Sequence, residues 1–165
     1  MIVIQLIGLL AFIFLFISYY NNDKKGILWC QLVSFLLYSI HFLLLGAFTG
    51  SLLEIVCFLN VLSVLKESSK RKKLITAIIF FIIYIIIGFI SYSHWYSVIP
   101  VIACIIVLIV SLFGDKKIIK LGGLLNGIMW AIYSYFVHSY AGVFSNTILF
   151  ILVFISLFIE GKHER

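Results

Sequence analysis

The chain is 165 residues long, 64% of them apolar, 17% aromatic and 11% charged, with a net charge of +6 and a mean hydropathy of +1.25. A soluble domain carries about a quarter charged residues, so a water-soluble globule is excluded: the few polar side chains cannot clothe a surface, and the apolar surplus must face lipid. At about 20 residues per crossing the length holds at most seven or eight spans and no separate catalytic or nucleotide-binding domain.

The first predicted span, 2–20, starts at Met1 with no basic stretch and no small-residue cleavage site, which reads as a retained helix and not a leader. Asp23-Lys24-Lys25 separates it from the second, 27–45, which carries Tyr38 and His41. A tight turn, Gly46 to Thr49, leads into the third, 50–65, with Glu54 and Asn60 aboard. The run Lys66-Glu-Ser-Ser-Lys-Arg-Lys-Lys73 precedes the fourth, 74–92, and Ser91-Tyr-Ser-His-Trp-Tyr96 connects it to the fifth, 97–113, with Pro100 near its start. Asp115-Lys116-Lys117 precedes the sixth, 119–137, which holds Trp130 and Tyr133; the turn His138 to Ala141 opens the seventh, 141–159, with Asn146. These runs are about twice as long as a barrel strand and lack its alternation, so an all-α membrane protein of seven transmembrane helices follows.

All twelve Lys and Arg residues fall in the gaps after the first, third and fifth spans or in the tail: Lys24, Lys25, Lys66, Lys70, Arg71, Lys72, Lys73, Lys116, Lys117, Lys120, Lys162 and Arg165. The positive-inside rule then places the N-terminus outside and the C-terminus in the cytoplasm. The same basic loops suit anionic lipid headgroups, and no basic-aromatic face for nucleic acid is present. Cys30, Cys57 and Cys104 stand far apart and read as small hydrophobes, with no disulfide framework and no metal-ligand spacing. Tyr92, Trp95, Tyr96 and Tyr140, with His94 and His138, read as rings at a membrane interface.

Sliding the chain by 92 residues lays 6–57 on 98–149 without a gap, and 11 positions are identical where about five are expected by chance. Asp23-Lys24-Lys25 meets Asp115-Lys116-Lys117, Gly50 meets Gly142, Tyr38 meets Trp130, and Glu54 meets Asn146. The shift carries span one onto span five, an even number of crossings, so the halves are two parallel three-helix repeats joined by a linker helix. The expected organisation is 1–65 as the first repeat, 66–92 as the basic loop and linker helix, and 93–165 as the second repeat with a short cytoplasmic tail.

Ile40-His41-Phe-Leu-Leu-Leu-Gly46-Ala-Phe, Ile99-Pro100-Val-Ile, and Trp130-Ala-Ile-Tyr133 followed by Gly142 resemble the YgjV-type bacterial inner-membrane family over nearly the whole chain. The resemblance implies a multi-pass protein of the bacterial inner membrane. The 3+1+3 pattern is similar in turn to the SWEET and PQ-loop group, which moves sugars, amino acids or vitamins. That group lines its pocket with an aromatic on the second helix and an Asn on the third helix of each repeat. Tyr38, Trp130 and Asn146 stand at matching places, whereas Glu54 replaces one Asn, Pro100 has Gly8 as its repeat mate, and no Pro-Gln dipeptide occurs.

Glu54 is the one acid well inside a span, read either as hydrated near the interface or as facing a cavity, the usual place of an intramembrane carboxylate. His41 falls at nearly the same depth across the turn, so a His–carboxylate pair that binds a cation or couples to protons stands beside plain helix packing. Tyr38 and Trp130 suit stacking on a ligand face, and Tyr133 and Asn146 occupy the same layer of the second repeat. Gly122, Gly123 and Gly127, with Ser34 and Asn126 at matching positions, suit close helix contact, and Pro100 is the candidate hinge.

The expectation is a small-solute transporter with a central site of Tyr38, His41, Glu54, Trp130, Tyr133 and Asn146, working by alternating access between two three-helix bundles. No catalytic constellation is present, so no enzymatic activity and no cofactor are expected. A receptor or assembly protein of the same fold is the alternative, and lipid handling a third. Substrate identity and association into a homo-oligomer stay open.

Overall fold

The computed structural model describes residues 1–21, 23–66 and 69–163. Glu67 and Ser68 of the basic loop and Arg165 of the tail lie outside the described residues, as do the side chains of Lys70, Lys116, Lys117, Lys120 and Lys162. The described chain is helical, without a strand: α1 (Ile2–Tyr20), α2 (Lys24–Leu44), α3 (Phe48–Lys66), α4 (Lys70–Ile90), a short 3-10 turn (Trp95–Ser97), α5 (Val98–Phe113), α6 (Lys116–Phe136) and α7 (Tyr140–His163). Five segments are long and apolar enough to cross a membrane: α1, α2, α3, Arg71–Ile90, and the 3-10 turn with α5; Tyr140–Leu152 is a shorter apolar stretch.

Helix ends in a membrane protein are the expensive parts, because four N–H groups and four carbonyls at each helix lack partners within the helix. The chain meets this locally, twice, with the same chemistry. The Asp23 carboxylate accepts the Gly26 N–H at 2.9 Å where α2 starts, and the Asp115 carboxylate accepts the Ile118 N–H at 2.9 Å where α6 starts. Both helices then end in the paired bonds of a left-handed cap. Ala47 N–H reaches Phe42 O at 2.9 Å and Gly46 N–H reaches Leu43 O at 3.0 Å; Ser139 N–H reaches Ser134 O at 2.9 Å and His138 N–H reaches Tyr135 O at 3.3 Å. Gly46 takes φ +74° and His138 φ +57°.

Every one of those positions is separated from its counterpart by 92 residues, and so are the helix limits: 24 and 44 for α2 against 116 and 136 for α6, and 48 against 140 for the starts of α3 and α7. Identical side chains are few across this offset, yet the backbone repeats its caps and turns residue for residue.

The contacts between helices run in a cycle: α1 on α2, α2 on α3, α3 on α5, α5 on α6, α6 on α7, and α7 back on α1. Helix α4 sits outside, against α3 and α5. Most of its apolar residues are exposed; Ala77, Phe80, Ile83 and Ile87 pack half-buried against the core, and Tyr84 is buried at 0%. The Tyr84 hydroxyl meets the Cys57 thiol at 3.4 Å, and Cys57 in turn meets Cys104 at 3.4 Å, at the seam between α3 and α5.

Lipid is as apolar as leucine, so burial alone does not hold such helices together; close packing and interhelical hydrogen bonds must. Ser34 of α2 donates to Ala11 O of α1 at 2.9 Å, Ser39 of α2 meets Ser51 of α3 at 3.3 Å, and Thr49 of α3 donates to Ser91 O at the end of α4 at 2.8 Å. A Cβ at Gly122 would stand 2.7 Å from Val110, and one at Gly123 would run into the Tyr19 hydroxyl, so this glycine pair serves the close contact expected of it.

The two caps give a paired prediction. A Cβ at Gly46 meets nothing within 4 Å, so Gly46→Ala carries only the left-handed backbone penalty and is expected to cost about 1–2 kcal/mol. His138→Gly relieves the same penalty in the second repeat and is expected to raise the melting midpoint in detergent. An unchanged midpoint in Gly46→Ala contradicts the cap assignment.

Candidate functional site

A central cavity lies between the two halves of the helix cycle, lined by Leu15 and Tyr19 of α1, Gln31, Phe35, Tyr38 and Phe42 of α2, and Glu54 of α3. The second half contributes Val107, Val110 and Ser111 of α5, Ile119, Gly123, Asn126 and Trp130 of α6, and Asn146 of α7. Five pairs of residues 92 apart are in this lining: Leu15 and Val107, Tyr19 and Ser111, Gln31 and Gly123, Tyr38 and Trp130, Glu54 and Asn146. The volume open to the centres of water molecules is about 40 Å³, room for roughly three waters.

The spacing of the lining residues is helical. Gln31, Phe35, Tyr38 and Phe42 recur at steps of four, three and four, and Ile119, Gly123, Asn126 and Trp130 do the same, so each set forms one stripe down one helix face. The stripes run toward the ends of α1 and α5, where Tyr19 and Ile119 sit beside the loops that carry Lys24 and Lys116. We call this the basic end.

The opposite, uncharged end is shut by rings and by a polar latch. Phe42 stacks on Trp130 with centroids 5.3 Å apart and lies 5.8 Å from Tyr133. His41 is 0% exposed, with Nδ1 2.7 Å from the Ile4 carbonyl and Nε2 2.7 Å from Ser139 Oγ. A carbonyl only accepts, so Nδ1 carries the proton; the other nitrogen of a neutral imidazole then accepts, and Ser139 Oγ, which accepts the Gly142 N–H at 3.1 Å, donates its hydroxyl proton to Nε2. The resulting chain of bonds ties α1, α2 and the start of α7.

Tyr133, the mate of His41, makes the reciprocal crossing: Gly50 N–H of α3 donates to its hydroxyl at 3.0 Å. The difference between halves explains why. Ser139 caps the third amide of α7 with its own side chain, but its mate before α3 is Ala47, which has nothing to offer. The Tyr133 hydroxyl supplies the missing acceptor from the other half. A Cβ at Gly50 would lie 2.9 Å from that ring, so glycine is what admits it. Gln5 of α1 completes the latch by accepting the Ala141 N–H of α7 at 2.9 Å.

Of the residues expected in the site, Tyr38, Glu54, Trp130 and Asn146 line the cavity, while His41 and Tyr133 stand in the latch above it. The expected pairing of His41 with Glu54 is not formed, since both ring nitrogens of His41 are engaged elsewhere. Glu54 lies six residues into α3, about 9 Å along the axis, whereas His41 is three residues from the end of α2, about 4–5 Å. The two are therefore a helical turn apart in depth. Pro100 is buried in the first turn of α5, where its missing N–H breaks no helical bond. Asn126, expected to serve helix contact with its mate Ser34, lines the cavity instead, and only Ser34 packs.

Three polar atoms around this cavity have no hydrogen-bond partner: Glu54 Oε2, Tyr38 Oη and Asn126 Oδ1. Glu54 is 4% exposed and Asn146 8%. Leaving a buried acceptor unsatisfied costs about 1–3 kcal/mol, and more for a charged one, so the three atoms give the cavity wall hydrogen-bonding capacity that water or a ligand can meet. Among the described residues no three of His, Cys, Asp and Glu converge on a metal position.

Compared with curated proteins and with solved structures, the chain finds no match. A family model does match, over residues 2–162, nearly from end to end. Together with the apolar helices it makes this a multi-pass membrane protein, and the chain belongs to the Imp-YgjV family of bacterial inner membrane proteins.

Proposed function

We propose that the protein is a small-solute transporter working by alternating access, with two co-oriented three-helix repeats, SWEET-like in arrangement, rocking about the central cavity. Seven crossings with the N-terminus outside and the basic loops in the cytoplasm belong to the same reading. A hinge at Pro100 belongs to it as well.

The observation that carries it is the latch above the cavity. Its cross-half bonds, from His41 to Ser139, from Gly50 to Tyr133 and from Ala141 to Gln5, close one end, and the cavity extends toward the other. In this reading the two halves rock against each other about the cavity, so that opening of the latch goes with closure of the basic end. The closed end is held by hydrogen bonds worth about 1 kcal/mol each, which is little enough to break and remake in a cycle.

Access from both sides is the test. In a background with Cys30, Cys57 and Cys104 replaced by alanine, Asn146→Cys is exposed to a membrane-impermeant maleimide in right-side-out and in inverted vesicles. Alkylation from both sides is expected. Alkylation from one side alone removes transport and favours a receptor that holds its ligand behind a permanent seal.

The latch adds a second outcome in the same assay. Tyr133→Phe leaves the Gly50 N–H without its acceptor while keeping the ring, weakening the closed end by about 1 kcal/mol, so labelling from the uncharged side is expected to speed up about fivefold. An unchanged rate means that this bond does not gate the cavity.

A further inference from the structure

We infer that the cavity takes a primary ammonium group, and that this cation exchanges with a proton on Glu54. The inference rests on the transport reading for its purpose but on the lining for its chemistry. Hydrogen-bond accounting comes first. Two donors of the wall are spent on their own helices, Asn146 Nδ2 on Gly142 O at 2.8 Å and Ser111 Oγ on Leu108 O at 3.1 Å. Glu54 Oε2 and Asn126 Oδ1, which only accept, have no donor, and Tyr38 Oη, which can accept as well as donate, has no partner. A wall with spare acceptors is complementary to a ligand rich in donors, and an ammonium head brings three N–H groups and no acceptor.

Charge and shape point the same way. Among the described residues the lining contains one carboxylate and no Lys, Arg or His. Aromatic faces fill much of the rest, with Trp130, Tyr38 and Phe42 at one level and Phe35 and Tyr19 nearer the basic end. Ring faces attract a desolvated organic cation by up to about 2 kcal/mol, and they give no comparable advantage to a sugar's hydroxyls. The space of about 40 Å³ admits a head of a few heavy atoms and not a hexose.

The exchange follows from the carboxylate being alone. An unpaired charge in hydrocarbon is expensive, so Glu54 is accommodated either with a proton or with a cation beside it. Each arrival displaces the other: the ammonium binds as the carboxyl O–H bond breaks and its proton leaves to water, and on release a proton from water takes its place. The cavity stays neutral in both forms, which is the condition for either form to move between the two packings.

The test is the melting midpoint of the purified full chain in detergent, read against ethylammonium chloride from pH 6 to 8, with sodium chloride, potassium chloride and glycerol as parallel arms. A saturable rise with ethylammonium is expected, its half-saturating concentration increasing about tenfold for each unit fall in pH where proton and amine compete one for one. Glu54→Gln is expected to fold, since it removes the buried charge, and to lose the shift; Tyr38→Phe is expected to weaken half-saturation several-fold. An equal rise with sodium or potassium overturns the ammonium assignment in favour of an alkali cation. A rise with glycerol alone, or a shift that survives in Glu54→Gln, overturns the proposal outright. A saturable shift with one-sided labelling of Asn146→Cys keeps the ligand and removes transport; two-sided labelling without any shift does the reverse.

Discussion

Everything in this structure answers to the absence of water as a hydrogen-bonding partner. Helix termini and polar side chains within the membrane must find their bonds inside the protein, and the way they do so determines which parts are fixed. At the uncharged end the start of α3 lacks a side-chain cap and borrows one from Tyr133, while the start of α7 uses Ser139 and Gln5. The bonds to Tyr133 and Gln5 cross from one half of the molecule to the other. Local necessity therefore produces part of the tertiary link, and His41 adds to it by joining Ile4 O and Ser139 Oγ. At the basic end, among the described residues, the Lys24 ammonium donating to Gly114 O at 3.2 Å crosses between halves.

The two halves repeat one backbone but divide the chemistry between them. His41 faces Tyr133 across the 92-residue offset, Ala47 faces Ser139, and Glu54 faces Asn146. Ala47 offers no side-chain acceptor where Ser139 caps, Asn146 is neutral where Glu54 can be charged, and His41 and Tyr133 make different cross-half bonds. A symmetric pair of carboxylates in one cavity would repel at close quarters and would need two counter-charges. One carboxylate against one amide keeps the acceptor geometry of both halves while requiring a single proton or cation.

Much of this was legible before any coordinates. The spans follow from tight turns and charge runs, and the offset of 92 appears in sequence because those short motifs recur. Tyr38, Glu54, Trp130 and Asn146 were legible for the same reason: mates in a repeat share a place. What failed was depth and direction. Counting residues from a turn put His41 level with Glu54 but gave no account of which neighbour the ring meets, and the neighbours turned out to be the Ile4 carbonyl and Ser139, 37 and 98 residues away in sequence. Gln31, Phe35 and Asn126 went unread as site residues although a signal existed. They extend the faces of Tyr38 and Trp130 at helical steps, and following that stripe down the helix would have found them. Asn126 also shows the limit of symmetry, since its mate Ser34 turns to Ala11 O and its own Oδ1 turns to the cavity.

The seams between the halves bear on whether they can move. Packed helices slide most easily where side chains do not interlock, and each seam has a point of contact between small groups. Where α1 meets α7, a Cβ at Gly8 would fall 2.9 Å from Ala141 and equally close to the His41 ring, so the backbones approach closely beside the latch. Where α3 meets α5, the thiols of Cys57 and Cys104 touch, weak hydrogen-bonding groups whose rearrangement costs little. Three cross-half bonds are gathered at one end, in the latch, and the Lys24 ammonium makes one at the other. On the transport reading proposed above, a body fastened at the latch pivots there, and the cavity of about 40 Å³ beside it is the volume that such a motion would change.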